Sequence, residues 1–329
     1  MTPEPIIAPI PTEIIAKELH SGLLLRKTNR AGNEIYTFSA HEAPNVMREL
    51  GRLREEAFRY YGGGSGQSVD IDRFDLEVDG YKQLIVWDPE HKKIIGGYRY
   101  ILGEDIRLID GKPDIASAKI FDLSPLFVQE FLPKTIELGR SFVRLEYQQA
   151  RLSPKSIFAL DNLWDGLGAV SMMYHEYEYF FGKVTMYKEY NVQARDLILF
   201  FLRTHFTNAP ELVTPLNPIS IDTPIQCLED VVRGNDFKED YHRLNQAVRT
   251  LGVNIPPLVN AYMGLSSTMR YFGTSINPDF SGVEESAILV PFLEISEDKK
   301  KRHMESFLRD AAKRLPSTLL QQIRSKLGC

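Results

Sequence analysis

Residues 135–147 read TIELGRSFVRLEY, and the reading of this stretch decides the fold. Ile136, Leu138, Phe142, Val143 and Leu145 supply apolar bulk among β-branched and aromatic neighbours, which predicts a strand. Glu137 and Arg140 interrupt it in the middle, where a buried strand least accommodates charge. Residues three apart on a regular strand point to opposite faces. Gly139 between them could host a bulge, whose extra residue would turn both charges to one side. A carboxylate and a guanidinium at such a bulge suit an active site. A buried structural ion pair has the same spacing, so spacing alone leaves both readings open.

Before this strand, residues 82–88 (KQLIVWD) and 93–102 (KIIGGYRYIL) predict a hairpin turning at Pro89 to Lys92, with Gly96 and Gly97 marking a bend or close backbone approach. Further upstream, two short strands are expected at Leu23 to Arg26 and Glu34 to Ala40. A helix from Ala43 to Tyr60 carries Val46, Leu50, Leu53, Ala57 and Phe58 at helical spacing, with Arg52, Arg54 and Arg59 among them. Gly62 to Gly66 stop that helix, ahead of the acidic Asp70, Asp72 and Asp75. This glycine run follows a helix and not a strand, so it is no dinucleotide cradle. It reads as a linker, or as a mobile lid over an acceptor.

Downstream, Ser153 and Pro154 form an N-cap and first-turn pair for a helix to about Tyr177. A strand over Tyr179 to Met186 and an apolar helix over Val192 to Phe206 follow, then a Pro- and Thr-rich loop at 208–225. Helices over Asp230 to Leu251 and Leu258 to Met269 precede a last strand at Ala287 to Ile295. The order argues for an α/β layer structure with a mixed sheet. Its organisation is an N-terminal arm (1–20), a catalytic-type domain (21–296, with a 207–250 insertion) and a tail (297–329).

The chain has 329 residues, 25% of them charged, and two cysteines, Cys227 and Cys329, without metal or redox spacing. No signal peptide and no membrane-length apolar run is visible, so a reducing cytosol is the expected compartment. Net charge is −5, unevenly placed: Lys299 to Cys329 holds nine Lys or Arg against Glu305 and Asp310, leaving −12 elsewhere. That tail could be a solvated helix, a dock for an acidic carrier protein through Lys299 to Arg302, or a contact with anionic lipid. Phe307, Leu308, Ala311 and Leu315 give it an apolar face suited to membrane or core. Nucleic acid is not expected, because the body is acidic. No metal-ligand spacing and no Gly-x-Ser-x-Gly elbow occurs.

ELGRSFV after a hairpin ending GGYRYIL resembles the hemolysin-like branch of the GNAT acyltransferases, especially those making lyso-ornithine lipid and related lyso-aminolipids. The chain is similar, more distantly, to acyl-homoserine-lactone synthases. The matching positions are Arg54 and Phe58 on the first helix, Asp72 with Phe74 and Asp75, Arg99 on the hairpin, and Glu137 with Arg140. LWDGLGAV (163–170), YEYFFGKVTM (177–186), IPPLVNAYMGL (255–265) and INPDFSGVEESAILVPFL (276–293) extend the likeness.

The resemblance implies a mostly antiparallel GNAT-type sheet flanked by helices, with helical additions. It also implies an N-acyltransferase taking a long-chain acyl group, with or without a 3-hydroxyl, from a phosphopantetheine thioester to the amine of an amino acid or lyso-aminolipid precursor. Glu137 would be the base or an amine-orienting group, and Arg140 its partner and a binder of the acyl carbonyl or the acceptor. Arg54, Phe58, Asp72, Asp75, Arg99, Ser141 and Phe142 would form the substrate site, and Val143, Gly166, Gly168 and Ala169 the pantetheine site. Asp165 would repel a pyrophosphate, favouring acyl carrier protein over CoA. The rival readings are a small-molecule acetyl-CoA acetyltransferase and a non-catalytic lipid- or carrier-binding protein.

Overall fold

The computed structural model describes residues 2–148, 154–207 and 209–311. Its centre is an eight-stranded sheet: β1 (Leu24–Lys27), β2 (Glu34–Phe38), β3 (Lys82–Asp88), β4 (Lys93–Leu102), β5 (Thr135–Val143), β6 (Tyr179–Met186), β7 (Arg270–Asn277) and β8 (Val283–Pro291). The spatial order is β1-β2-β3-β4-β5-β6-β8-β7. Every neighbouring pair is antiparallel except β5 and β6. The expected mixed, mostly antiparallel sheet is present.

The helices expected over Ala43 to Tyr60 and Val192 to Phe206 are present, and one near the N-terminus was not foreseen. α1 (Thr12–Glu18) lies in the segment expected to be extended, and its Glu18 carboxylate accepts the backbone N–H groups of Asn45 and Val46, both at 2.9 Å. It thereby caps α2 (Pro44–Tyr60) with a negative charge at the helix's positive end. α2 buries Val46, Leu50, Leu53 and Ala57 against Phe38, Ile85 and Phe142 on one face of the sheet. On the other face, α3 (Ala159–Met173) and α4 (Val192–Phe206) pack Leu163, Leu167, Ile198 and Phe201 into a second core with Leu84, Ile136 and Phe180.

Several boundaries differ from expectation. The strand at 135 ends at Val143, and Leu145–Gln148 is a helical turn. β7 was not foreseen, and the helix expected over Leu258 to Met269 ends at Met263. β8 begins at Val283, and the loop at 208–225 contributes a short strand, Val213–Pro215, paired with Phe121–Leu123. The expected N-cap Ser153 lies outside the described residues, as do Leu315 and the last basic residues of the tail. The described part of the tail is helical turns over Glu297–Ala311. Of the expected apolar face, Phe307 and Leu308 are buried, with Met304, in the core beside α3.

Candidate active site

β5 and β6 pair only from Thr135 with Tyr179 to Leu138 with Gly182, then diverge. The gap opens a cavity of about 540 Å³ that runs through the sheet. Arg99, Glu137, Lys183, Phe280 and Glu285 line one part of it, while Tyr147, Leu160, Pro256, Pro257 and Leu258 line another. From Gly139 to Val143 the β5 edge has no strand beside it on the β6 side. Its backbone amides are open to an extended ligand.

The bulge exists, one residue beyond the glycine. Gly139 pairs with Arg99 and Phe142 with Gly97, so Arg140 and Ser141 together oppose Tyr98. Arg140 itself takes the left-handed backbone at φ 50°. For a non-glycine residue that costs about 1–3 kcal/mol, and such strain concentrates at functional sites. Gly139 serves a different purpose: a Cβ there would stand 3.3 Å from Arg99 Nε. With the extra residue, Glu137 and Arg140 both reach the cavity wall.

They are not each other's partners. Arg140 Nε lies 2.8 Å from Asp70 and its Nη2 3.6 Å from Asp72, with the guanidinium 4.7 Å from the Phe280 ring centre. Arg99 Nη1 meets Asp72 at 2.9 Å and Asp75 at 3.0 Å. Arg54 Nη1 meets Asp75 at 3.4 Å and its Nη2 donates to Gln83. The charges therefore alternate as Arg54, Asp75, Arg99, Asp72, Arg140, Asp70. Burial would raise the Asp75 carboxyl, but Arg99 and Arg54 outweigh it and hold it below the ordinary range. At Asp70 burial prevails over Arg140 and the pKa is raised. Arg54, Asp72 and Asp75, expected to touch substrate, stand behind the cavity wall and hold Arg99 and Arg140 in place.

Glu137 is 1% exposed. Its Oε1 accepts the Ser117 hydroxyl and its Oε2 has no hydrogen-bond partner among the described residues. The Tyr81 hydroxyl is close enough to interact but makes no aligned hydrogen bond. Burial pushes the Glu137 carboxyl above its ordinary value, against the opposing pull of Ser117, Tyr81, Arg99 and Lys183. A carboxylate on the cavity wall, with one oxygen lacking an aligned hydrogen bond, can accept a proton.

Phe58, Ser141, Phe142 and Val143 also line the cavity. Gly166, Gly168 and Ala169 do not. They lie in the interior of α3, where Gly166 faces Leu84 and Ile35 and Gly168 lets the His303 backbone approach. Asp165 is fully buried, accepting Asn29 N at 2.8 Å and His303 Nδ1 at 2.7 Å. It is a structural cap for the tail and no guide to the donor's carrier. The helix start that faces the cavity is earlier, at Ser156, Ala159 and Leu160, anchored by Lys155 to Asp88 at 2.6 Å and Glu90 at 2.9 Å.

The glycine loop is no free lid. Buried Glu55 accepts Ser65 N, Ser65 Oγ and Gly66 N, each at 2.9 Å, and Arg59 Nε at 3.0 Å. Sequence reasoning missed Lys183 and Glu285, a buried pair at 2.8 Å on the far wall. The available signal was a lysine and a glutamate inside otherwise apolar strands.

The acetyltransferase (GNAT) domain family matches residues 53–154, from α2 through β5. Over 307 residues the chain is 54% identical to a glycine Nα-acyltransferase of Phocaeicola vulgatus, covering 93% of this chain and 94% of that protein. It is 53% identical over 306 residues to a glycine Nα-acyltransferase of Bacteroides thetaiotaomicron, covering 93% and 91%. A solved structure of a CoA-dependent acyl-homoserine lactone synthase, BjaI, with SAM and isopentyl-CoA, is similar only loosely, with 11% identity and a TM-score of 0.35 over 89% of this chain and 99% of that one.

The sheet, the GNAT match and these relatives define an N-acyltransferase. The chain belongs to the family of the two glycine Nα-acyltransferases.

Proposed function

We propose that the enzyme moves a long-chain acyl group from a phosphopantetheine thioester to the α-amine of glycine, giving an N-acylated amino acid of the aminolipid type. The observation that supports this best is Glu137, a buried carboxylate on the wall of the cavity that opens where β5 and β6 part, with one oxygen lacking an aligned hydrogen bond. The donor's pantetheine amides would lie along the unpaired edge of β5. The acyl chain would occupy the apolar part by Leu160, Pro257 and Leu258. A volume of about 540 Å³ is of the size that takes a ligand well beyond an acetyl group.

Glu137 takes a proton from the glycine amine as its nitrogen bonds to the thioester carbonyl carbon. The carbon–sulfur bond then breaks, the thiolate leaves, and it is protonated as free thiol. The thioester alone supplies the energy, and Glu137 returns to the carboxylate by giving its proton up to the thiolate or to water.

The test is purified enzyme with glycine and palmitoyl, 3-hydroxypalmitoyl or acetyl thioesters, each on carrier protein and on CoA, with products identified by mass spectrometry. Long-chain N-acylglycine from either carrier supports the proposal, and the faster carrier identifies the physiological donor. Transfer confined to acetyl-CoA would make it a small-molecule acetyltransferase. No transfer from any donor would leave a binding protein.

A further inference from the structure

Glycine differs from a simple amine by its carboxylate, and a buried site that selects it needs a cation within reach of the base. Three cations, Arg99, Arg140 and Lys183, line the cavity among the described residues. Arg99 is shared by Asp72 and Asp75, and Arg140 by Asp70 and Asp72. Both are thus committed on two sides within the alternating ion network.

Lys183 is held differently. Its ammonium meets Glu285 Oε2 at 2.8 Å, the one hydrogen bond it makes among the described residues. An ammonium has three donors, so two remain. Glu285 is fully engaged: Asn277 Nδ2 donates to the same oxygen at 2.7 Å and Thr185 Oγ1 to the other at 3.3 Å. Burial would raise Glu285, but the charge and hydrogen bonds of Lys183 with the Asn277 bond hold it below its ordinary value. Glu285 is a fixed anion that holds Lys183 in place, whereas Glu137, on the same cavity, is the carboxylate with one oxygen lacking an aligned hydrogen bond.

The register sets the two groups apart by the right amount. Glu137 pairs with Phe181 across the parallel ladder, and Lys183 is two residues further along β6, on the same face. Two residues of rise and one strand spacing put the Cα atoms roughly 8 Å apart. Side chains converging over that distance can bracket an amino acid whose amine and carboxylate are separated by one carbon.

We propose that Lys183, positioned by Glu285 and Asn277, binds the acceptor's carboxylate and makes the enzyme specific for an α-amino acid. The inference rests on the proposed acceptor class and is tested apart from it. Glycine and glycinamide are compared as acceptors with one donor, rates being corrected for the free-amine fraction. The wild-type enzyme should prefer glycine by about 100-fold, the scale of a lost charge-assisted hydrogen bond in a buried site. In Lys183→Met, glycine should lose about 100-fold in kcat/KM while glycinamide and the donor KM change less than about threefold. Because Lys183→Met strands Glu285, the double variant Lys183→Met/Glu285→Gln is measured alongside and should give the same collapsed ratio.

A merely structural Lys183 would depress both acceptors together. Equal wild-type use of glycinamide and glycine, or an unchanged ratio in the folded variants, overturns the proposal. Failure of wild type to acylate glycine at all would instead sink the functional reading itself.

Discussion

An alanine at position 168 separates a packing role for the α3 glycines from a ligand-binding one. A Cβ on Gly168 would lie 2.6 Å from the His303 carbonyl oxygen and 2.8 Å from its carbon. Both are backbone atoms, so relief requires moving the 300–311 segment outward by roughly 0.7 Å to reach ordinary contact distance. That movement loosens the His303 bond to Asp165 at 2.7 Å, the Arg302 bond to Asp161 at 2.6 Å and the Asn29 bond to the Arg302 carbonyl at 2.7 Å. Overpacking of this kind costs about 1–3 kcal/mol. Replacing a mid-helix glycine by alanine returns about 1 kcal/mol, so the net loss is about 0–2 kcal/mol.

At Gly166 the same methyl meets the tips of Leu84 at 2.8 and 3.0 Å and of Ile35 at 3.3 Å, which can change rotamer. Gly168→Ala should therefore melt below Gly166→Ala by about 1 kcal/mol, or ~2 °C for a chain of this size. Thermal unfolding gives the order, and steady-state kinetics should show an unchanged donor KM in both. A donor KM raised tenfold in Gly168→Ala with an unmoved Tm would refute the packing role and return this glycine to the donor site.

Three other outcomes are expected. Glu137→Gln should lower kcat about 10²–10⁴-fold and abolish the acid limb of the pH profile. In wild type that limb lies above the ordinary glutamate range, because burial raises Glu137 and activity is lost as pH falls through the raised value. The same substitution should stabilise the fold at pH 8 by about 1 kcal/mol, a gain that shrinks as pH falls through the raised pKa and is gone below the ordinary glutamate value, where the side chain is neutral in both folded and unfolded chains; scanning calorimetry across pH reads it. Arg140→Gly should relieve about 1 kcal/mol of left-handed strain yet strand Asp70, for a net loss of about 2–4 kcal/mol in urea unfolding, largely recovered in Arg140→Gly/Asp70→Asn. Glu55→Ala should free the Gly64 to Gly66 turn and speed hydrogen exchange at the Ser65 and Gly66 amides, with the β4 amides unaffected.

The sheet was legible because its strands are short runs of apolar, β-branched and aromatic residues bounded by turn signals: the hairpin over 82–102 and the strand over Tyr179 to Met186 fall where the sequence places them. The need for a bulge was legible from two charges three apart. Its position was not, since the reading assigned the unusual backbone to glycine and the fold gives it to Arg140. Gly166 and Gly168 lie off the cavity in close helix contacts, a setting that shares its glycines with phosphate loops, and only the tertiary partners distinguish the two. Asp165 finds its partners at Asn29 and His303, each more than a hundred residues away, and no local pattern announces that. Lys183 and Glu285 are 102 positions apart and become a pair only because β8 lies beside β6.

The alternating network of three arginines and three aspartates has an evolutionary corollary. Removing Asp75 strips Arg54 of its ion-pair partner among the described residues, and removing Arg140 does the same to Asp70, each at a cost of about 3–5 kcal/mol, comparable with a large share of a domain's whole stability. Lineages would then cross that barrier only by paired changes, which are rare. Diversification of acceptor preference among relatives should accordingly bypass these six positions and accumulate on wall residues that no partner depends on, leaving the ion network as the inherited constant of the scaffold.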